Sequence, residues 1–181
     1  MKRAVFVNGV PASGKSTVAR LLSATTGWPL MALDTVKEAM FEEIGRGDRD
    51  YNRMLGRASY RAIFALIADA PDETNVVIDA WFGFQPRATL DAHITHAGLG
   101  RIGEIWCFAE PETIGERYAA RVGERSAGHL GLDYVPELVA LAKRAEPLGD
   151  FPLLKVDTTK APPDVAAWAK AVLFGSPSLQ A

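Results

Sequence analysis

Residues 9–17 run Gly-Val-Pro-Ala-Ser-Gly-Lys-Ser-Thr, and no other stretch constrains the fold of this chain so tightly. The spacing is G-x-x-x-x-G-K-[ST]. An apolar run, Ala4-Val5-Phe6-Val7, precedes it and a segment of helical period follows, which is the strand-then-helix setting the motif requires. Glycine lets the backbone curl until successive amides face one concavity, and the helix behind it adds the positive end of its dipole. Gly9, Pro11, Ala12, Ser13 and Gly14 are thereby expected to cradle phosphates. Lys15 is expected to reach the β- and γ-phosphates, the Ser16 hydroxyl to join a Mg²⁺ shell, and Thr17 to stand beside it. The expected ligands are a nucleoside triphosphate, ATP in the reading developed below, and Mg²⁺.

The rest of the chain alternates short apolar runs with longer segments of helical period. Strands are expected near 3–8, 29–33, 75–79, 102–108 and 153–156. Helices are expected near 15–26, 35–45, 52–69, 86–97, 111–122, 134–145 and 162–174. Near-continuous apolar strands are the mark of a sheet buried on both faces. The pattern therefore predicts a three-layer α/β/α fold around a five-stranded, mostly parallel sheet. Asp34 and Asp133 sit where helix N-caps are expected, and Pro86, Pro111 and Pro162 fall where helices tolerate proline. Two segments exceed a minimal alternation. One is 45–70, where Gly45-Arg46-Gly47-Asp48 breaks a helix and another follows. The other is a Gly-, Arg- and His-containing stretch at about 121–132. Extra material in a parallel fold tends to cover a site, so these are expected to be a helical cap and an arginine-rich lid. One domain over 1–174 and a frayed tail at 175–181 complete the organisation.

Composition narrows the partners. The chain has 181 residues with 20 Lys and Arg against 22 Asp and Glu, a net charge of −2. That balance argues against bulk attraction to nucleic acid or to an anionic membrane, so an anionic ligand must be held by local devices. The one cysteine, Cys107, lies in the apolar run Ile105-Trp106-Cys107-Phe108, which excludes an intramolecular disulfide and fits a reducing compartment. No apolar run approaches the roughly 20 residues of a membrane span. The expected location is cytoplasmic.

A guanine-reading Asn-Lys-x-Asp element is missing late in the chain, and Val156-Asp157-Thr158-Thr159-Lys160 does not supply one. A mechanical ATPase needs larger domains. Transfer of the γ-phosphoryl group to a small acceptor is the remaining use. Asp34 closes the second strand at the carboxyl edge of the sheet, where ligands of open α/β folds bind. Lys37 follows one helical turn on, on the same side. Asp79 ends Val76-Val77-Ile78, the place of a metal-shell or acceptor-binding carboxylate, and the aromatic loop Trp81-Phe82-Gly83-Phe84 comes next. Aromatic rings beside a carboxylate suit a sugar face or a ring-bearing antibiotic. Arg87, in the helix that follows, is a further acceptor candidate. Arg117, Arg121 and Arg125 recur every four residues, a like-charge stripe that isolated helix stability does not explain.

The 9–17 motif, Asp34-Thr35-Val36-Lys37, Val76-Val77-Ile78-Asp79 and the Arg117, Arg121, Arg125 series together resemble the small P-loop kinases. That group takes in shikimate and gluconate kinases, chloramphenicol phosphotransferase, zeta toxins and the kinase domain of polynucleotide kinase. The resemblance implies a P-loop NTPase fold and an ATP-dependent kinase acting on a hydroxyl of a small molecule of the sugar, amino-sugar or antibiotic class. It implies that Asp34 takes the proton from the acceptor hydroxyl, with the metal and acceptor roles of Asp34 and Asp79 left open between them. Arg117 or Arg121 would stack on adenine, Arg125 would reach the transferring phosphate, and His129 would hydrogen-bond substrate or hold the lid. Lys37 stands where related branches often carry Arg, and the Asp-x-Asp element of shikimate kinases is missing. Two alternatives stay open: a polynucleotide 5′-hydroxyl or nucleotide kinase, and a nucleotide-binding regulatory module without turnover.

Overall fold

A computed structural model describes residues 1–123 and 130–175. Five strands, β1 (Lys2–Asn8), β2 (Leu30–Ala32), β3 (Asn75–Asp79), β4 (Leu99–Phe108) and β5 (Leu153–Asp157), form one sheet in the order β2-β3-β1-β4-β5. Every pairing is parallel, so the expected mostly parallel sheet is parallel throughout. The helices are α1 (Lys15–Thr26), α2 (Leu33–Ile44), α3 (Arg49–Asp69), α4 (Arg87–Ala97), α5 (Pro111–Arg121), α6 (Val135–Arg144) and α7 (Val165–Phe174).

Strand alternation distributes β1 between two cores. Val5 and Val7 point to one face and pack with Val18 and Leu22 of α1 and Ala166, Ala169 and Leu173 of α7. Ala4 and Phe6 point to the other, against Tyr60, Ile63, Phe64 and Ile67 of α3 and Leu90 of α4. A third apolar cluster, including Val10, Ala12, Ile114, Tyr118 and Leu138, seats α5 and α6 beyond the carboxyl edge of the sheet. The register there matters for the site. Val7 pairs with Asp79 and with Ile105, and Ala32 pairs with Asp79, so the ends of β1, β2 and β3 come out side by side.

Several local expectations need correction. β2 is only three residues long, and α2 starts at Leu33 behind an Ala32 N-cap, which puts Asp34 inside the first turn rather than at the cap. Asp48, not anticipated as a cap, accepts a hydrogen bond from the Tyr51 amide at 2.8 Å and starts α3 three residues earlier than periodicity suggested. The later part of α3 is core, with Ser59, Tyr60, Ile63, Phe64 and Ile67 buried, so the 45–70 segment contributes as much to the middle of the protein as to its rim. Asp133 lies in a short 3₁₀ turn, Leu132–Tyr134, and α6 has no side-chain cap. Pro162 precedes α7 rather than opening it. Pro163 disfavours helical backbone in the residue before it, and Asp164 caps the helix by accepting from the Ala167 amide. α5 stops at Arg121, so only Arg117 and Arg121 of the arginine stripe share its surface. Arg125, His129 and much of the expected lid lie outside the described residues, as does the tail from 176 onward. Among the described residues, no helix is long and apolar enough to cross a membrane.

Candidate active site

The phosphate cradle is built by backbone. β1 delivers the chain at Asn8, Gly9 takes φ 152°, Ala12 takes φ 64°, and Gly14 at φ 85° caps α1. A Cβ on Gly9 would stand 2.4 Å from both the Cys107 carbonyl and the Ser13 Oγ, and one on Gly14 would stand 2.9 Å from Thr158 Cβ, so both positions demand glycine. No side chain caps α1, which leaves its first-turn amides and dipole for a ligand. The Ser13 hydroxyl is buried with no hydrogen-bond partner. The Lys15 ammonium lies 3.4 Å from the Val10 carbonyl. The donors of an anion site are thus assembled in one short loop.

Asp79, at the end of β3, is 6% exposed. Ser16, Lys15, Arg20 and Asp34 all lie close enough to act on its charge. Burial is the main influence and raises its pKa, while Lys15 and Ser16 pull it down. Its Oδ1 is buried without a partner. A serine hydroxyl beside a carboxylate with an unpartnered buried oxygen fits a hydrated Mg²⁺, which keeps several waters and takes few protein ligands. Among the described residues no group of three or more His, Cys, Asp or Glu could enclose a metal. Cys107 lies behind this centre. Burial is the leading cause that pushes its thiol up to about 12, so it stays protonated and serves as a small apolar core residue.

Asp34 opens out of the first turn of α2 into a cavity of about 420 Å³ that also contains Lys15, Ser16, Asp79 and Arg121. The far wall comes from α2 and α3: Lys37, Arg49, Asn52, Arg53 and Gly56. Its floor is the loop after β3. Phe82 turns away to stack on Phe6 at 4.4 Å in the core, while Trp81, Gly83 and Phe84 face the cavity. The Tyr60 hydroxyl donates to the Trp81 carbonyl and the Tyr60 ring stacks parallel to Phe84, so the buried face of α3 supports the floor. The Trp81 ring lies against Gly83 so closely that a Cβ there would stand 2.2 Å from it. Across the mouth, Arg49 of α3 pairs with Glu137 of α6 at 2.5 Å.

A second cavity of about 410 Å³ adjoins the first behind the cradle and is lined mainly by apolar groups, among them Val18, Leu21, Ala120, Val156 and Pro162. Arg117 and Arg121 form one side of it, and Arg121 faces both cavities. Arg117 donates to the Thr158 hydroxyl at 2.8 Å and to its carbonyl at 3.1 Å, and that hydroxyl donates to the Ser13 carbonyl at 2.8 Å. The turn after β5 is thus tied to the phosphate cradle. Asp157 faces its own turn, where Thr159 and Lys160 hold its carboxyl down at about 2.

The structure therefore brings Asp34, Lys37, Asp79, Trp81, Arg121 and the 9–17 loop to connected cavities. Arg87 does not join them. It pairs with Asp91 and Asp150 and lies over the Phe151 ring, so its charge is used in holding α4 to the loop before β5. Arg20, Arg49, Asn52 and Arg53 are cavity residues not anticipated from the sequence, and Thr158, in the turn after β5, lines the second cavity. A signal existed for some of them. Arg20 is four residues after Ser16 on one helix face, and Asp48 followed by Asp50 marks a helix start that carries Arg49 and Arg53 along.

A parallel sheet in the order 2-3-1-4-5, a glycine cradle after β1, an uncapped α1 and a carboxylate at the end of β3 define a P-loop NTPase fold of the small-kinase type. The chain belongs to the AAA-domain family, whose model matches residues 5–133. No curated protein matches the sequence. Among solved structures, a protein proposed to be a kinase from Chloroflexus aurantiacus is 27% identical with a TM-score of 0.79, the match covering 95% of this chain and 98% of that one. An unliganded sugar kinase from a Janibacter species is 19% identical with a TM-score of 0.62, covering 98% and 97%. A gluconokinase from Sinorhizobium meliloti is also 19% identical with a TM-score of 0.58, covering 93% and 90%.

Proposed function

We propose that this protein is an ATP-dependent phosphotransferase that passes the γ-phosphoryl group to a hydroxyl of a small molecule, of the sugar, amino-sugar or antibiotic class, with Asp34 as general base. One observation carries the reading: Asp34 shares a single cavity with Lys15, Ser16 and Asp79 on one side and an aromatic floor on the other. Bound Mg·ATP supplies the γ-phosphoryl group. The backbone of 9–14 and the α1 terminus hold the phosphates, Lys15 and Arg121 meet the charge that shifts during transfer, and Ser16 with Asp79 holds the hydrated metal. The apolar second cavity beside Arg117 suits the base. Asp34 accepts the proton as the acceptor oxygen bonds to phosphorus and the bridging bond to ADP breaks. Phe84 and Trp81 offer flat apolar surface to a sugar or ring face. The resemblance to a sugar kinase and a gluconokinase supports the acceptor class, and Arg49 and Arg53, which line the cavity although each has an acidic partner, favour as a second reading an acceptor that carries a phosphate.

A coupled ADP-release screen over sugars, sugar acids, aminoglycosides, amphenicols, nucleosides, nucleoside monophosphates and 5′-hydroxyl oligonucleotides tests this. The expected result is acceptor-dependent ADP release with a product one phosphoryl group heavier by mass. Stimulation by oligonucleotides alone contradicts the small-molecule reading. Nucleotide binding with no stimulation by any acceptor supports a regulatory module instead.

A further inference from the structure

β4 contains a carboxylate where only apolar side chains are expected. Glu104 lies in Ile102-Gly103-Glu104-Ile105, in the second half of the strand next to β1, and is fully buried. Its contacts are all to donors. The Asn8 Nδ2 donates to Oε1 at 2.7 Å, and the Leu148 amide donates to its two oxygens at 3.1 and 3.0 Å. A carboxylate offers only acceptors, so it serves these donors without conflict, whereas a carboxamide would turn a donor toward one of them.

The consequence lies one residue further along. Asn8 is also fully buried, at the end of β1. With its Nδ2 committed to Glu104, its Oδ1 must face the other way. There it accepts from the Gly9 amide at 2.8 Å and from the Phe82 amide at 3.1 Å. Gly9 is the first residue of the phosphate cradle. Phe82 is the buried anchor of the loop that carries Trp81, Gly83 and Phe84 into the acceptor cavity. A single carboxamide thus holds the entries to both halves of the site, and a buried carboxylate sets which way that carboxamide points.

We infer that Asn8 is a positioning residue for both the phosphate cradle and the acceptor-side floor, and that Glu104 acts through it by fixing the orientation of its carboxamide. The kinetic consequence rests on the phosphotransferase reading above. The structural and binding consequences do not.

The test is an exchange of the two functional groups. In Asn8→Asp two carboxylates oppose each other in the core, and in Glu104→Gln the Asn8 orientation is no longer imposed. In the double variant N8D/E104Q the carboxylate now at position 8 accepts from Gly9, from Phe82 and from the carboxamide nitrogen introduced at position 104. The oxygen of that introduced carboxamide accepts from Leu148. Affinity for a fluorescent ATP analogue with Mg²⁺, measured below the Tm of each variant, and the amide resonances of Gly9 and Phe82 provide the readouts. Asn8→Asp is expected to weaken nucleotide binding roughly tenfold or more and to move both amide resonances. The double variant is expected to recover binding to within about threefold and return both resonances toward wild type. Wild-type binding in N8D, an unmoved Phe82 amide, or a double variant as impaired or as unfolded as the worse single overturns the inference. A change confined to Tm assigns the pair a purely structural role and also overturns it. If these readouts behave as expected while the acceptor screen yields nothing, the phosphotransferase reading fails and the positioning role stands.

Discussion

The two halves of the central cavity are built from different materials. The half proposed for the nucleotide is mostly backbone: six consecutive residues, two of them glycines in conformations that a side chain would strain, and a helix end that no side chain caps. The half proposed for the acceptor is mostly side chains delivered by α2, α3, α6 and the loop after β3, elements that lie far apart in sequence. A backbone device is encoded in a few neighbouring positions and tolerates little variation. A side-chain device can be rebuilt one residue at a time, which is how one fold comes to serve different acceptors.

That contrast is open to direct attack. Lys15→Ala should give the largest loss, roughly 10³-fold in acceptor-stimulated ADP release, since its charge meets the phosphates and no other group in the cradle replaces it. Binding of the acceptor, measured by calorimetry, should survive. Asp79→Asn should lower turnover by about 10²-fold with a raised Mg²⁺ requirement. It should also stabilise the ligand-free protein at neutral pH. The Asp79 carboxyl is raised in the fold chiefly by burial, so the stability it contributes is fullest below the ordinary aspartate range and is lost as pH rises through the raised value. The melting curves of the two proteins should therefore separate at pH 7 and converge in acid, and parallel curves at both pH values would refute the assignment. Gly83→Ala should act on the acceptor half alone. Its Cβ would collide with the Trp81 ring, so the acceptor KM is expected to rise about tenfold with the ATP KM unchanged. Arg87→Gln should do least, within about 1 kcal/mol of stability by denaturant titration and with unchanged kcat, because it removes partly exposed ion pairs.

The same contrast explains what could be read in advance. The layer order, the helices and the cradle were legible, because an apolar strand, a glycine pattern and an amphipathic helix are all local signals. Asp79 was legible as a strand-end carboxylate, and Asp34 as a carboxylate at the same edge of the sheet although it sits in the first turn of α2 rather than on β2. Arg49, Asn52 and Arg53 were not, because which face of α3 meets the cavity depends on how that helix packs, and periodicity began the helix three residues late, past Arg49. Arg87 misled in the opposite direction. It follows the aromatic loop closely in sequence, yet α4 turns it outward to Asp150. Glu104 and Asn8 were invisible, since a single acid in an apolar run gives no hint of a partner 96 residues away.

The central claim is that Asp34 accepts the proton of an acceptor hydroxyl in phosphoryl transfer, and Asp34→Asn tests it most directly. With whichever acceptor the screen identifies, the substitution should cut kcat by roughly 10²–10⁴-fold while the affinity for Mg·ATP stays that of wild type. An Asp34→Asn protein that transfers phosphate at the wild-type rate would contradict it.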